Sequence, residues 1–355
     1  MLQVFPLLIL VSFVPMGIVL IDYRLSLVSA KTLPILQGIG LASFFLFFGG
    51  YSVDAWRYLT RFTHDPMSFG EEWIFWLLGN FLSNNLPDPW PIQFLSAFAV
   101  AMWVGAVFRA SGCSDKKITI LALAILPVVP AFCFAMGNVI RQGLAMTILL
   151  HAALYLVEGK KGRFGLLSVI GILVHQVSIT LAIAIWLMKL PMRIIWIVLL
   201  VSPFVSFLVS FVLSQMGVDL ADYIRYSTYD EGQFHYLKFF VYFACACSLL
   251  VISSTIDLPI YCRYLIRVFA ISVSGASLLL KYEVPFERLL LSSDIFLPII
   301  LASVLVGFRP FLRQVFFAGA LISSTLFWSS STAHLTLTIG KEVATQERIK
   351  NYQIP

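Results

Sequence analysis

Apolar runs close to twenty residues long, separated by short polar turns, recur along almost the entire chain. They fall at 2–21, 33–51, 92–109, 118–136, 138–157, 194–214, 237–256, 265–280, 289–306 and 314–330, with a further apolar segment at 164–188. A helix needs about 20 such residues to cross a bilayer core. The pattern therefore predicts an all-α polytopic integral membrane protein. It has about 10–11 transmembrane helices in a single membrane domain spanning 1–355. Two longer polar stretches, 52–91 and 215–236, interrupt it. Within the first, Trp73, Trp76, Leu77 and Asn80 recur at helical spacing, which predicts a short helix lying at the membrane surface. The proline-rich turn from Asn84 to Pro91 follows it.

Composition agrees: 60% of the 355 residues are hydrophobic and 12% charged, so too few charges remain to cover a water-facing surface. A soluble enzyme, a disordered chain and a nucleic-acid-binding domain are excluded. The net charge of +6 is meaningful only loop by loop. Of the five cysteines, Cys133, Cys245 and Cys247 lie in apolar runs, and Cys113 and Cys262 lie beside basic residues. No disulfide framework or zinc spacing emerges. Residues 1–20 have neither a basic start nor a small-residue cleavage site, so the first run reads as a retained span.

Cytoplasmic loops collect Lys and Arg. Arg24 and Lys31, Arg109 with Lys116 and Lys117, Lys160 with Lys161 and Arg163, Arg263 with Arg267, and Arg309 with Arg313 mark that side. Loop 52–91 carries Asp54, Asp65, Glu71, Glu72 and Asp88. Loop 215–236 carries Asp219, Asp222, Asp230 and Glu231. Both are expected outside, as are both termini. Segment 164–188 has basic residues at each end, Lys160–Arg163 and Lys189–Arg193, and one crossing cannot keep both ends inside. A re-entrant hairpin turning near His175 resolves the conflict, provided protein or a water-filled cavity surrounds the turn.

Ionisable side chains in apolar segments are costly and usually face a cavity or partner. Asn138, Arg141 and Gln142 sit where two apolar runs meet with almost no loop. A helix start favours anions, and the arginine fork binds phosphate bidentately. That makes an external phosphate site, against the plainer reading of an arginine snorkelling to headgroups. His175, inside 164–188, is either a proton acceptor at a cavity or a hydrogen-bonding partner for a neighbouring helix. His151 faces the same choice with nothing nearby in support. Arg225 and Tyr226 suit sugar and phosphate, or form an interface belt. Arg288 opens a span and either pairs with Glu283 or Glu287 or binds an anion. Asp54 and Tyr58 stand at i, i+4, where Asp54 orients a hydroxyl or holds Arg57. No phosphate loop, zinc motif or nucleophile elbow is present in the sequence, so neither ATP nor a metal is expected, and no cofactor. Spread arginines and a histidine point to a phosphorylated lipid.

The stretch from Asn138 to Ala145 resembles the N-x-x-R-Q-x-x-A signature of the EpsG-like O-antigen polymerase (Wzy) family. The following basic Lys160-Lys161 and Val174-His175-Gln176-Val177-Ser178 are similar to that family too, with Val174 where members often have Phe. Gly50, Asp54 and Tyr58 resemble its G-x-D-x-x-x-Y pattern, with Gly50 further from Asp54 than that pattern places it and without the preceding Arg. Arg225-Tyr226 and Phe286-Glu287-Arg288-Leu289 match its sparse later arginines.

The resemblance implies a GT-C-like membrane glycosyltransferase of the bacterial inner membrane. It would polymerise undecaprenyl-pyrophosphate-linked repeat units of O-antigen or a related polysaccharide at the periplasmic face. The donor and acceptor would both be lipid-linked glycans, and a chain-length regulator is a possible protein partner. In that chemistry Arg141, Arg225 and Arg288 stabilise the leaving pyrophosphate. His175, with Asp54 next, deprotonates the acceptor hydroxyl. Asn138, Gln142, Tyr226 and Tyr58 complete the binding set. The rival readings are a lipid-linked oligosaccharide flippase, although no internal repeat is visible, and an O-antigen ligase.

Overall fold

The computed structural model describes residues 29–48, 58–59, 61–62, 72–111, 116–125, 129, 135–136, 139–215, 234–280 and 283–307. Among the described residues there is no strand. The helices, in chain order, are α1 (Ser29–Phe48), α2 (Trp73–Asn85), α3 (Trp90–Ser111), α4 (Lys116–Ile125), α5 (Ile140–Val157) and α6 (Lys161–Val174). They continue as α7 (Ser178–Leu187), α8 (Met192–Gln215), α9 (Phe234–Thr255), α10 (Ile260–Ser277), α11 (Glu283–Asp294) and α12 (Leu297–Gly307). The expected spans 2–21 and 314–330 lie outside the described residues, as does most of loop 215–236.

The exterior of this bundle is apolar. Phe204, Phe207 and Leu208 of α8, Leu237 and Phe240 of α9, and Trp186 of α7 are among its most exposed side chains, at 59–74%. Water would not tolerate apolar exposure on this scale, whereas lipid does. Among the described residues, three helices are long and apolar enough to cross a membrane alone: Trp90–Ser111, Ile140–Val157 and Tyr236–Thr255. The pair Phe286–Asp294 and Leu297–Gly307, bent by 48°, makes a fourth span if counted as one.

The other apolar runs take shorter or more polar forms. Thr32–Phe47, Ser178–Leu187 and Met192–Leu208 are shorter apolar helices. Run 265–280 starts earlier, at Ile260, and so takes Arg263 into α10, which also carries Arg267. Arg263 pairs with Asp257 at 2.5 Å, and Arg267 reaches the carbonyls of Met188 and Leu190 at 3.4 and 3.5 Å. Run 289–306 breaks at Ile295–Phe296. There the indole N–H of Trp103 donates to the Ile295 carbonyl at 3.1 Å, and Tyr242 donates to the buried Asp294 at 2.7 Å. Segment 164–188 likewise breaks, at His175–Val177, into α6 and α7.

In lipid, close packing and buried hydrogen bonds hold helices together more than hydrophobic burial does. α5 shows this, being buried on nearly every face and packed by α3, α6 and α7. Its Gly143 admits the backbone of Ala135: a Cβ there would collide with the Ala135 carbonyl and with Met136 Sδ. The same approach lets Ser96 of α3 donate to the Met136 carbonyl at 2.5 Å. α5 spans about 27 Å from Ile140 to Val157. At its far end, Arg109 of α3 grips Glu158 with two N–H groups at 2.6 and 2.8 Å. Lys160 also reaches Glu158, at 2.8 Å, while the Arg109 guanidinium lies over the Tyr155 ring. The near end carries Arg141.

Candidate functional site

Three chain segments meet at the near end of α5. The first is the turn into α2, where Glu72 precedes Trp73. The second is the start of α5, where Arg141 is the second helical residue. The third is the break between α6 and α7, which leaves His175 in extended backbone with φ −156° and ψ 115°. α2 packs on both α3 and α6, which brings its leading residue to the break.

Glu72 joins the other two residues. Its Oε1 accepts from Nδ1 of His175 at 2.5 Å and from the backbone N–H of Gln176 at 3.2 Å. Its Oε2 accepts from Nη1 of Arg141. Burial acts to raise the Glu72 pKa. The hydrogen bond from His175, the charges of His175 and Arg141 and the Gln176 N–H outweigh it, so the carboxyl titrates below its usual 4.5. Glu72 is thus an anion at neutral pH and can only accept hydrogen bonds. His175 must therefore carry a proton on Nδ1, and in the neutral ring Nε2 holds the lone pair. His175 is 3% exposed, and its Nε2 has no hydrogen-bond partner among the described residues.

The backbone of Glu72 is left-handed, at φ 54° and ψ 38°, a conformation that costs a non-glycine residue about 1–3 kcal/mol. Its carbonyl accepts from the Phe75 N–H at 3.0 Å, which starts α2 and fixes the turn.

An aromatic wall positions Arg141. Its guanidinium lies 5.3 Å from the Tyr58 ring and 5.4 Å from the Trp76 ring. Tyr58, Phe62, Phe75 and Trp76 pack edge to face or tilted, with centroids 5.3–6.1 Å apart. Gly79 lets α2 sit on this cluster, since a Cβ there would enter the Phe62 ring. Asn80 donates to the Phe62 carbonyl at 2.9 Å. On the other side of α5, Gln142 is fully buried. Its Nε2 donates to the Arg288 carbonyl at 2.7 Å and to Ser292 Oγ at 2.9 Å.

Of the residues singled out in the sequence, the fold brings His175, Arg141 and Tyr58 together. It ties Gln142 to the backbone of Arg288. Asn138, Asp54, Arg225 and Tyr226 lie outside the described residues. His151 bonds the Met102 carbonyl at 2.9 Å, midway along α5. Glu72 and Trp76 enter the site unannounced, Glu72 having counted only toward the charge of a loop. The signal for it is charge balance, because a partly buried arginine and histidine need a carboxylate. Among the described residues no group of three or more His, Cys, Asp or Glu is placed to hold a metal ion.

An all-helical bundle with an apolar exterior and a paired Arg–Glu–His cluster at one end defines a multi-pass membrane protein with a built polar site. The chain matches the EpsG family over residues 31–353, nearly its whole length, and belongs to that family. EpsG-like proteins are Wzy-type polymerases, membrane enzymes that polymerise glycans. No curated protein and no solved structure matches the chain.

Proposed function

We propose that this protein is a GT-C-like glycosyltransferase of the bacterial inner membrane. It joins undecaprenyl-pyrophosphate-linked repeat units into O-antigen or a related surface polysaccharide at the periplasmic face. The observation that carries the reading is the single carboxylate, Glu72, shared by His175 and Arg141.

A histidine whose Nδ1–H is held by a carboxylate presents a basic Nε2 and gains stabilisation when it becomes an imidazolium. His175 Nε2 takes the proton from the acceptor sugar hydroxyl as its oxygen attacks the anomeric carbon of the donor. The bond between that carbon and the pyrophosphate oxygen breaks. The growing chain passes to the non-reducing end of the acceptor unit, and undecaprenyl pyrophosphate leaves. Arg141, held against Tyr58 and Trp76, meets the charge that develops on the leaving group. Arg288 and Arg225 add positive charge, Asn138 and Tyr226 line the binding surface, the buried Gln142 supports it by holding the Arg288 backbone, and Asp54 is the next candidate base. The donor bond supplies the energy, so no nucleotide is required, and the arginines supply the positive charge that a metal would otherwise provide.

In the same reading, 164–188 is a re-entrant hairpin in a single membrane domain. α6 starts beside the Arg109–Glu158 pair, remote from Arg141. The carbonyls at the end of α7 accept from Arg267 in α10. α10 begins just after Ile256, which lies against Gly307 at the end of α12. α12 in turn runs away from the Gln142–Ser292 contact. Both ends of the hairpin therefore sit toward the same side of the bundle, with His175 at its tip. A chain-length regulator protein would dock on the assembled enzyme.

Deleting the gene and resolving surface polysaccharide on a gel tests the function. Collapse of a ladder to one repeat unit on the lipid core is expected. Complete loss of the polymer and of the single unit would instead indicate a flippase or ligase.

A further inference from the structure

A cavity of about 620 Å³ lies between α7 and α8 on one side and α10 and α11 on the other. Its size falls within the range of small-molecule sites, about 300–1,000 Å³. Its lining is almost wholly hydrocarbon, and no charged side chain contributes to it.

Three observations fix what enters it. One end reaches the candidate site. Ser292 lines the cavity and accepts from Gln142, the neighbour of Arg141, and Leu289 in the lining follows Arg288. Thr180, five residues past His175, lines it too. The wall then follows α7 to Leu187, about 10 Å further along the helix. Finally, the lining residues Ile183, Ile197, Val201 and Leu278 are 44–61% exposed on the apolar exterior, so the cavity opens sideways into lipid. An occupant that enters from the bilayer, fills a hydrocarbon cleft and ends beside the helices that carry Arg141 and Arg288 is a long hydrocarbon chain with an anionic head.

We propose that this cleft holds the polyprenyl chain of the lipid-linked substrate, with its phosphate-proximal units between α7 and α10 and its pyrophosphate at Arg141 and Arg288. The assignment rests on the polymerase reading for the identity of the lipid, and it deepens that reading by placing the carrier. The hairpin then has two tasks: its tip carries His175 and its second helix forms the tail's wall. Seating the tail along α7 fixes how far the anomeric carbon stands from Nε2.

Gly275 of α10 offers a clean test. It lines the cavity, and a Cβ built there meets nothing within 4 Å, so a methyl is accommodated and a larger side chain starts into open space. The probe is undecaprenyl phosphate with a photoactivatable group on its first isoprene units, added to the full-length protein in nanodiscs. Adducts are expected on α7, α8 or α10 residues of the cleft. Gly275→Phe should weaken labelling and binding roughly tenfold, as expected for displacing about two buried methylene-sized groups. Gly275→Ala should leave both unchanged. Adducts elsewhere, or labelling indifferent to Gly275→Phe, would overturn the proposal. So would equal competition by phosphatidylglycerol, which would make the cleft a general lipid site. The readout needs no turnover. Tail binding without polymerisation removes the polymerase reading and keeps the cleft; polymerisation without tail binding at the cleft does the reverse.

Discussion

The carboxylate of Glu72 and the imidazole of His175 meet at 2.5 Å although 103 residues separate them in the chain. Glu72 orients the ring, balances Arg141 and joins α2 to the break between α6 and α7. It is a positioning residue, and its substitution separates charge from shape.

Glu72→Gln keeps the volume and a hydrogen bond but leaves His175 free to hold the wrong tautomer. Polymerisation by purified protein on lipid-linked repeat units should fall by roughly 10²–10⁴-fold, the span attributed to acid–base catalysis. Glu72→Asp should recover part of the rate. Loss of activity in Glu72→Gln with an unchanged pH profile would reduce the residue to a structural role.

Glu72 sets the acid limit of the pair. Burial acts to raise its pKa, but the hydrogen bond from His175 and the charges beside it hold it below the usual 4.5, so the carboxylate that holds the His175 Nδ1–H persists as pH falls into the ordinary carboxylate range, and activity should persist with it. The stability that Glu72 contributes is complete above its unfolded pKa and is lost only as pH falls through the lower folded value. His175→Gln should abolish turnover while thermal unfolding stays near that of the wild type. Full activity of that variant would transfer the base role to Asp54 or to the substrate.

Arg141→Ala should cost about 10²–10³-fold in rate, as removal of a donor to a developing anion does. Arg141→Lys should stay badly impaired, because an ammonium lacks the planar fork and stacks poorly on Tyr58 and Trp76. Chain length on a polysaccharide gel, at matched membrane expression, is the measurement. EDTA should leave the wild-type rate intact. Inhibition reversed by magnesium would remove the metal-free mechanism.

The hairpin is open to labelling. In a cysteine-free background, Lys161→Cys and Met192→Cys should both be protected from an impermeant reagent outside intact cells and labelled after permeabilisation. Labelling of Met192→Cys alone from outside would mean that the segment crosses.

Gly143→Ala should destabilise the protein by about 1–3 kcal/mol, the usual cost of overpacking. The new methyl meets backbone, the Ala135 carbonyl, which cannot swing aside as a side chain can. A lower unfolding temperature in detergent, with α5 otherwise unchanged, is expected.

Hydropathy alone locates α3, α5 and α9 to within a few residues, because a helix surrounded by hydrocarbon and other helices is apolar throughout. It also places the break at His175, through the paradox of two basic ends. It misses the break at Ile295–Phe296 and the charged helix. Ile295 and Phe296 are as apolar as their neighbours, and only Trp103, from a distant helix, meets the carbonyl freed there. Arg263 and Arg267 look like loop residues until Asp257 and the α7 carbonyls supply partners. The site follows the same rule. Arg141 and His175 stand out because lipid penalises them, and Tyr58 because of its spacing from Asp54. Glu72 is one of five acids in its loop, and nothing local distinguishes it, since its role depends on where α2 lands.

That carboxylate also bears on turnover. Glu72 already neutralises Arg141, so under the proposed function pyrophosphate binding would be an exchange of one anion for another, and its net affinity a difference between two attractions. A substrate held through its tail and sugars would win that exchange. A product that has lost its glycan would hold on less tightly, and Glu72 would reclaim the guanidinium. On that reading the protein carries its own displacing ion, which would speed departure of a spent carrier that a bare arginine cluster would retain.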